Sequence, residues 1–222
     1  MEVSDITWLG HASFFFTDQT SGNRIYYIDP FEIKNISLAK ADLIFITHAH
    51  YDHCSLQDIQ KIIKNDTLVI APSDCLTTLG IEEEKQFPVT PSSSFTVRDF
   101  SFQTIPAYNI NPSRLSFHPK DNNWVGYIFS LNGKKVYHAG DTDFTPEMKG
   151  LNTLHLDVAM LPMGGTYTMD VTEAIEAANA ISAKITIPMH YKRLLGEGYK
   201  QTEEQLKQSV TNSKVVILPE LR

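Results

Sequence analysis

The chain has little cysteine and no surplus of positive charge, and each shortage narrows what it can be. Only Cys54 and Cys75 occur in 222 residues, which excludes a fold stapled by a disulfide framework. Lysine and arginine number 19 against 26 aspartates and glutamates, a formal charge of −7. No basic run carries interleaved aromatics, so a surface built to hold polynucleotide is not expected. No stretch approaches the roughly 20 apolar residues of a membrane span. The segment from Met1 to Gly10 has neither a basic start nor a long apolar core, so no secretory leader is read there. The expectation is a cytoplasmic protein with no nucleic-acid or membrane partner. Low-complexity linkers and internal repeats are also missing, so residues 1–222 read as a single domain.

What is present is an ordinary globular composition, 42% hydrophobic and 20% charged. One stretch stands out. Residues 43–54 read Leu-Ile-Phe-Ile-Thr-His-Ala-His-Tyr-Asp-His-Cys. The run Leu43–Ile46 has the short apolar character of a buried strand. It ends in His48, His50, Asp52 and His53, the pattern H-x-H-x-D-H. Alternation along an extended chain places His48 and His50 on one side. Ser55 then offers an N-cap, and Leu56, Ile59, Ile62 and Ile63 continue at helical spacing. A strand end feeding a helix start thus concentrates imidazole and carboxylate groups. Those donors suit zinc, and also manganese or iron.

The rest of the chain repeats one arrangement: a ligand-type residue follows an apolar strand. Asp29 follows Ile25–Ile28, Asp141 follows Val136-Tyr137, and His190 follows Ile185–Pro188. Sites in α/β proteins form where strand carboxyl ends meet. Around these strands, turn and cap signals mark hairpins at Ser21-Gly22-Asn23 and Asn132-Gly133. They also mark a short helix closed by Gly80, a helix from Val171 to Ile181 started by Asp170 with Glu173, and a last helix from Thr202 to about Asn212. Residues 109–123 show little periodicity and are expected to form a lid or binding loop.

Asp29, the cluster at His48–His53, Asp141 in His-Ala-Gly-Asp-Thr-Asp and His190 in Ile-Pro-Met-His-Tyr together resemble the motif series of the metallo-β-lactamase superfamily. The likeness runs from about residue 6 to residue 192. Trp8-Leu-Gly-His11-Ala-Ser13 and Pro162-Met-Gly-Gly-Thr-Tyr-Thr-Met-Asp170 narrow it to metal-dependent hydrolases related to the ascorbate-6-phosphate lactonases. The resemblance implies an α/β fold, a four-layer αββα sandwich, with two divalent metal ions at one edge. It implies one metal on His48 and His50, a second on Asp52, His53 and His190, and Asp141 bridging them. Asp29 would orient the histidine loop by hydrogen bonds; the alternative is that it is simply the turn residue before Pro30.

The sequence departs from the family at one place. A further histidine is usual just after the strand matching Phe100–Ile105, where this chain has Ala107-Tyr108-Asn109. Asn109, His118 from the following loop, or water is left to complete the first metal, and His118 is the expected ligand. The reaction implied is hydrolysis of a small polar ester, lactone or phosphodiester, with Asp52 accepting or relaying the proton. His11 is expected near the site or as a structural histidine. Tyr108, Arg114 and Lys120 are the nearest candidates for substrate contact, although solvated loop charges are the preferred reading of Arg114 and Lys120. Cys54 is assigned to the helix start, Cys75 to the core, and His138 and His155 to structural or surface roles. A nuclease of the same superfamily and a non-catalytic metal sensor are the alternatives, and a homo-oligomer is left open.

Overall fold

The computed structural model describes residues 3–34 and 38–221. They divide into two compact units. The first comprises 1–90, 131–133 and 218–222, and the second 91–130 and 134–217. The chain passes from one to the other at several points, so no linker marks the division in the sequence.

The first unit is built on a six-stranded sheet, β1 (Ile6–Gly10), β2 (Ser13–Asp18), β3 (Arg24–Ile28), β4 (Leu43–Phe45), β5 (Leu68–Pro72) and β6 (Gln86–Val89), in that spatial order. β1 to β3 form the antiparallel meander expected from the turn signals, and β3 to β6 are parallel. Helices α1 (Leu56–Ile62) and α2 (Ser73–Leu79) lie on one face. Ile59, Ile62, Cys75, Leu76 and Leu79 pack there with Tyr27, Ile44 and Val69 of the sheet. Ser55 caps α1 by accepting from the Asp58 amide, and Gly80 ends α2 in the left-handed conformation, both as the sequence indicates. β6 carries Pro88 and lacks alternation, so nothing local marks it. It holds as an edge strand, where proline is tolerated.

The second unit is built on a seven-stranded sheet of β7 (Ser94–Val97), β8 (Phe100–Pro106), β9 (Val125–Leu131), β10 (Lys134–His138), β11 (Val158–Pro162), β12 (Ile185–Met189) and β13 (Lys214–Val215). The spatial order is β13-β12-β11-β10-β9-β8-β7. β10 to β13 are parallel, so their carboxyl ends share one edge. Helices α3 (Pro146–Lys149), α4 (Val171–Ile181), α5 (Lys192–Leu195) and α6 (Tyr199–Ser209) complete the unit. Asp170 and Glu173 form the expected capping box of α4, and Ala174, Ala177, Ala178 and Ile181 bury one stripe of it. α6 begins at Tyr199 and not at Thr202, whose hydroxyl bonds back to the Gly198 carbonyl. Among the described residues, no helix is long and apolar enough to cross a membrane.

Gly126 in β9 marks a close approach to the end of β10. A Cβ there would lie 2.6 Å from the His138 carbonyl oxygen and 2.7 Å from that of Ala139. Both neighbours are backbone atoms of the segment leading to Asp141 and cannot step aside. Gly126→Ala is therefore expected to cost about 1–3 kcal/mol, read as a lower urea midpoint at unchanged slope.

Candidate functional site

In the first unit, parallel pairing of β3 with β4 brings their carboxyl ends side by side. The Asp29 amide donates to the Phe45 carbonyl at 2.9 Å. Asp29 is fully buried, and its carboxylate collects three hydrogen bonds from the histidine loop. The Thr47 amide donates to Oδ1 at 2.8 Å, and the Thr47 hydroxyl and His53 Nδ1 reach Oδ2, each at 2.7 Å. The same hydroxyl lies 2.9 Å from His48 Nδ1. With its proton given to Asp29, Thr47 accepts from His48. Both imidazoles are thus held through Nδ1, and each is left to present Nε2, the arrangement by which carboxylates orient metal-binding histidines. The orienting role expected of Asp29 is what these bonds describe.

The chain turns after His50, whose carbonyl accepts from the His53 and Cys54 amides at 3.0 and 2.8 Å. The turn folds His53 back onto His48, with ring centroids 4.0 Å apart. His48 Nε2 and His50 Nδ1 are 3.1 Å apart. Asp29, His48 and His53 offer ligand atoms within 4.8 Å of one another, and so do His11, Asp52 and His53. His11 Nε2 lies 3.0 Å from Asp52 Oδ2. His11 therefore sits inside this group. Its only local signal is Gly10-His11 between two strands, and its partner is 41 residues away. Cys54 and Cys75 are buried free thiols, and Cys54 Sγ points to the Cys75 carbonyl. Hydrogen bonding from Cys54, reinforced by burial, pushes the Cys75 thiol far above its ordinary range.

In the second unit, the parallel β10 and β12 end in Asp141 and His190. His190 Nε2 lies 3.1 Å from Asp141 Oδ2, and His118 Nε2 approaches the same oxygen at 3.4 Å. All three side chains are buried. Gly164 makes room for this edge: a Cβ there would run into the His190 carbonyl and come within 2.5 Å of Leu194 Cδ1. Tyr191, fully buried, anchors the next residue by donating to Glu203. His138 is buried and accepts from the Gly140 amide, while His155 caps a 3-10 turn at the surface.

The segment 109–123 departs from the expectation of solvated basic residues. Arg114 is buried and pairs with Asp143 at 2.8 Å and Glu173 at 2.6 Å. Burial works against its charge, but Glu173 and Asp143 more than offset that and raise its pKa. Lys120 is exposed, but it lies over the Tyr108 ring and contacts Glu147, to which the Tyr108 hydroxyl donates at 2.9 Å. Neither Arg114 nor Lys120 is committed to solvent alone. Asn109 lies beside His118, with Oδ1 2.5 Å from Nδ1, so the position where the family usually has a histidine supports one instead.

Comparison with known proteins agrees with this chemistry. Residues 5–190 match the family model described as a beta-lactamase superfamily domain. A UPF0173 metal-dependent hydrolase of Methanoculleus marisnigri is 32% identical over 220 residues, covering 96% of this chain and 92% of its own. Another, from Thermoplasma acidophilum, is 35% identical over 202 residues, covering 86% and 84%. A solved candidate metal-dependent hydrolase from Parabacteroides distasonis superposes with a TM-score of 0.82 at 34% identity, covering 97% of this chain and 93% of that one.

Proposed function

The chain belongs to the metallo-β-lactamase superfamily, among its metal-dependent hydrolases, and from that premise we propose that it hydrolyses a small polar substrate with an ester, lactone or phosphodiester bond. In this reading the ligands of two divalent ions are His48, His50, Asp52 and His53 in the first unit and His118, Asp141 and His190 in the second. The observation that carries it is the convergence of the His118 and His190 Nε2 atoms on a single oxygen of Asp141, at 3.4 and 3.1 Å. Buried carboxylates need a compensating charge, and imidazole nitrogens beside one make a donor set that fits a divalent cation. Nitrogen and oxygen donors suit zinc first, with manganese or iron as substitutes.

When bound, such ions lower the pKa of water and polarise a carbonyl or phosphoryl oxygen. The chain's own groups do the rest. Asp29 and Thr47 hold His53 and His48 by their Nδ1 atoms, so that neither ring turns. Asp52, with its side chain 20% exposed and its Oδ2 held by His11 Nε2 at 3.0 Å, is placed to accept or relay the proton of the attacking water. The net charge of −7 favours a small-molecule partner over polynucleotide. A cytoplasmic location goes with this reading.

The test is elemental analysis of protein purified without chelator, with ester, lactone and phosphodiester panels run on the wild type and on His53→Ala. About two equivalents of metal are expected, and His53→Ala should lose both metal and turnover. Chelation should abolish turnover and lower the thermal midpoint, and zinc should restore both. Less than a single equivalent of metal, or unchanged turnover in His53→Ala, would overturn the reading.

A further inference from the structure

Asp143 lies two residues beyond Asp141 and is fully buried. It accepts three hydrogen bonds from one loop and forms an ion pair with the same loop. The Ile110 and Asn111 amides reach Oδ2, each at 2.8 Å. Asn109 Nδ2 reaches Oδ1 at 3.0 Å and Arg114 Nη2 reaches it at 2.8 Å. Arg114 also grips both oxygens of Glu173, at 2.6 and 2.7 Å. Glu173 is tied in turn to the Asp170 amide at the start of α4. The loop is therefore clamped to the segment after β10 through the buried Asp143 and to α4 through the half-buried Glu173, by charge-assisted bonds.

The clamp has a chemical consequence at Asn109. Its Nδ2 faces two acceptors, Asp143 Oδ1 and, at 2.9 Å, the Tyr167 carbonyl. Only one orientation of the amide satisfies both. Oδ1 then faces His118 Nδ1 at 2.5 Å, and an amide oxygen can only accept. The proton of a neutral His118 must lie on Nδ1. The lone pair is left on Nε2, the atom that approaches Asp141 Oδ2 at 3.4 Å. A lone pair facing a carboxylate oxygen is an arrangement that a cation completes and that a neutral imidazole alone would avoid.

We propose that Asn109 is a positioning residue that holds His118 in the Nδ1–H tautomer for metal ligation, and that Asp143, Arg114 and Glu173 hold Asn109. This rests on His118 being a ligand. The loop acts as a bracket that sets a tautomer.

The direct test is the nitrogen-15 shift pattern of the His118 ring in the metal-free wild-type protein, which requires no variant to fold. Nδ1 is expected to carry the proton. In Asn109→Leu, which keeps side-chain bulk but removes the acceptor, the proton should move to Nε2. Zinc affinity, measured by titration against a chelating indicator, should fall by about 10–100-fold. His118→Ala separates the two claims. If it binds zinc as the wild type does, the ligand assignment and the positioning role fail together. If it loses zinc but metal-free wild-type His118 carries its proton on Nε2, or on both nitrogens, only the positioning role fails. Unchanged zinc affinity in a folded Asn109→Leu would also overturn the positioning role.

Discussion

Asp141→Asn is expected to empty the metal sites and cut hydrolysis while leaving the fold intact. The substitution keeps the shape and removes the charge that His118 and His190 both face. The expected loss is roughly a thousandfold in kcat/KM, equivalent to about 4 kcal/mol of transition-state stabilisation. The metal-free variant should unfold at or above the temperature of the metal-free wild type, because a buried carboxylate has become a neutral amide. Elemental analysis and thermal unfolding of both metal-free proteins check the two halves. A variant that retains its metal, or that unfolds many degrees lower, would remove Asp141 from the role given to it.

The second large effect is expected from Asp29→Asn, whose residue touches no proposed substrate position. Asparagine tolerates the left-handed backbone that Asp29 adopts, at φ 46°, so strain is not the issue. The amide can accept from the Thr47 backbone through its oxygen, but its NH2 group then faces the Thr47 hydroxyl and His53 Nδ1. The hydroxyl can turn to accept. His53 can meet an N–H only by moving its own proton to Nε2, the atom proposed to bind metal. Metal affinity should fall by about 10–100-fold, and stability by about 1–3 kcal/mol from the weakened buried bonds. Asp29→Ala should show the larger stability loss, because it leaves three buried donors without an acceptor. Chelator competition and urea unfolding of the two variants distinguish them. Equal metal affinity in wild type and Asp29→Asn would show that the carboxylate does not set the His53 tautomer.

Much of this was legible where the signal is local. Ser55 and the spacing of Ile59 and Ile62 define α1, and Asp170 with Glu173 defines the start of α4. The rule that ligand-type residues follow apolar strands works because β3 with β4, and β10 with β12, run parallel and end at a shared edge within each unit. What stayed hidden depends on partners remote in sequence. Arg114 looks like a solvated loop charge until Glu173, 59 residues on, closes around it. His11, expected near the site or as a structural histidine, has no local sign of its contact with Asp52, 41 residues on. The four-residue helices α3 and α5 are too short to show periodicity. α6 starts at Tyr199, ahead of the local cap signal at Thr202, and the Tyr199 ring there meets that of Tyr191.

His11, Asp29 and His190 all have positive φ, at 52°, 46° and 56°. An L-residue there costs on the order of 1 kcal/mol relative to glycine. These positions are points of local frustration, where chain preference and chemistry ask for different residues. Redesign of this backbone for stability alone would favour glycine or asparagine at all three and erase an imidazole or carboxylate each time. Selection for heat resistance and selection for turnover should therefore pull in opposite directions here, and thermostabilised variants should be screened for metal content before they are screened for melting temperature.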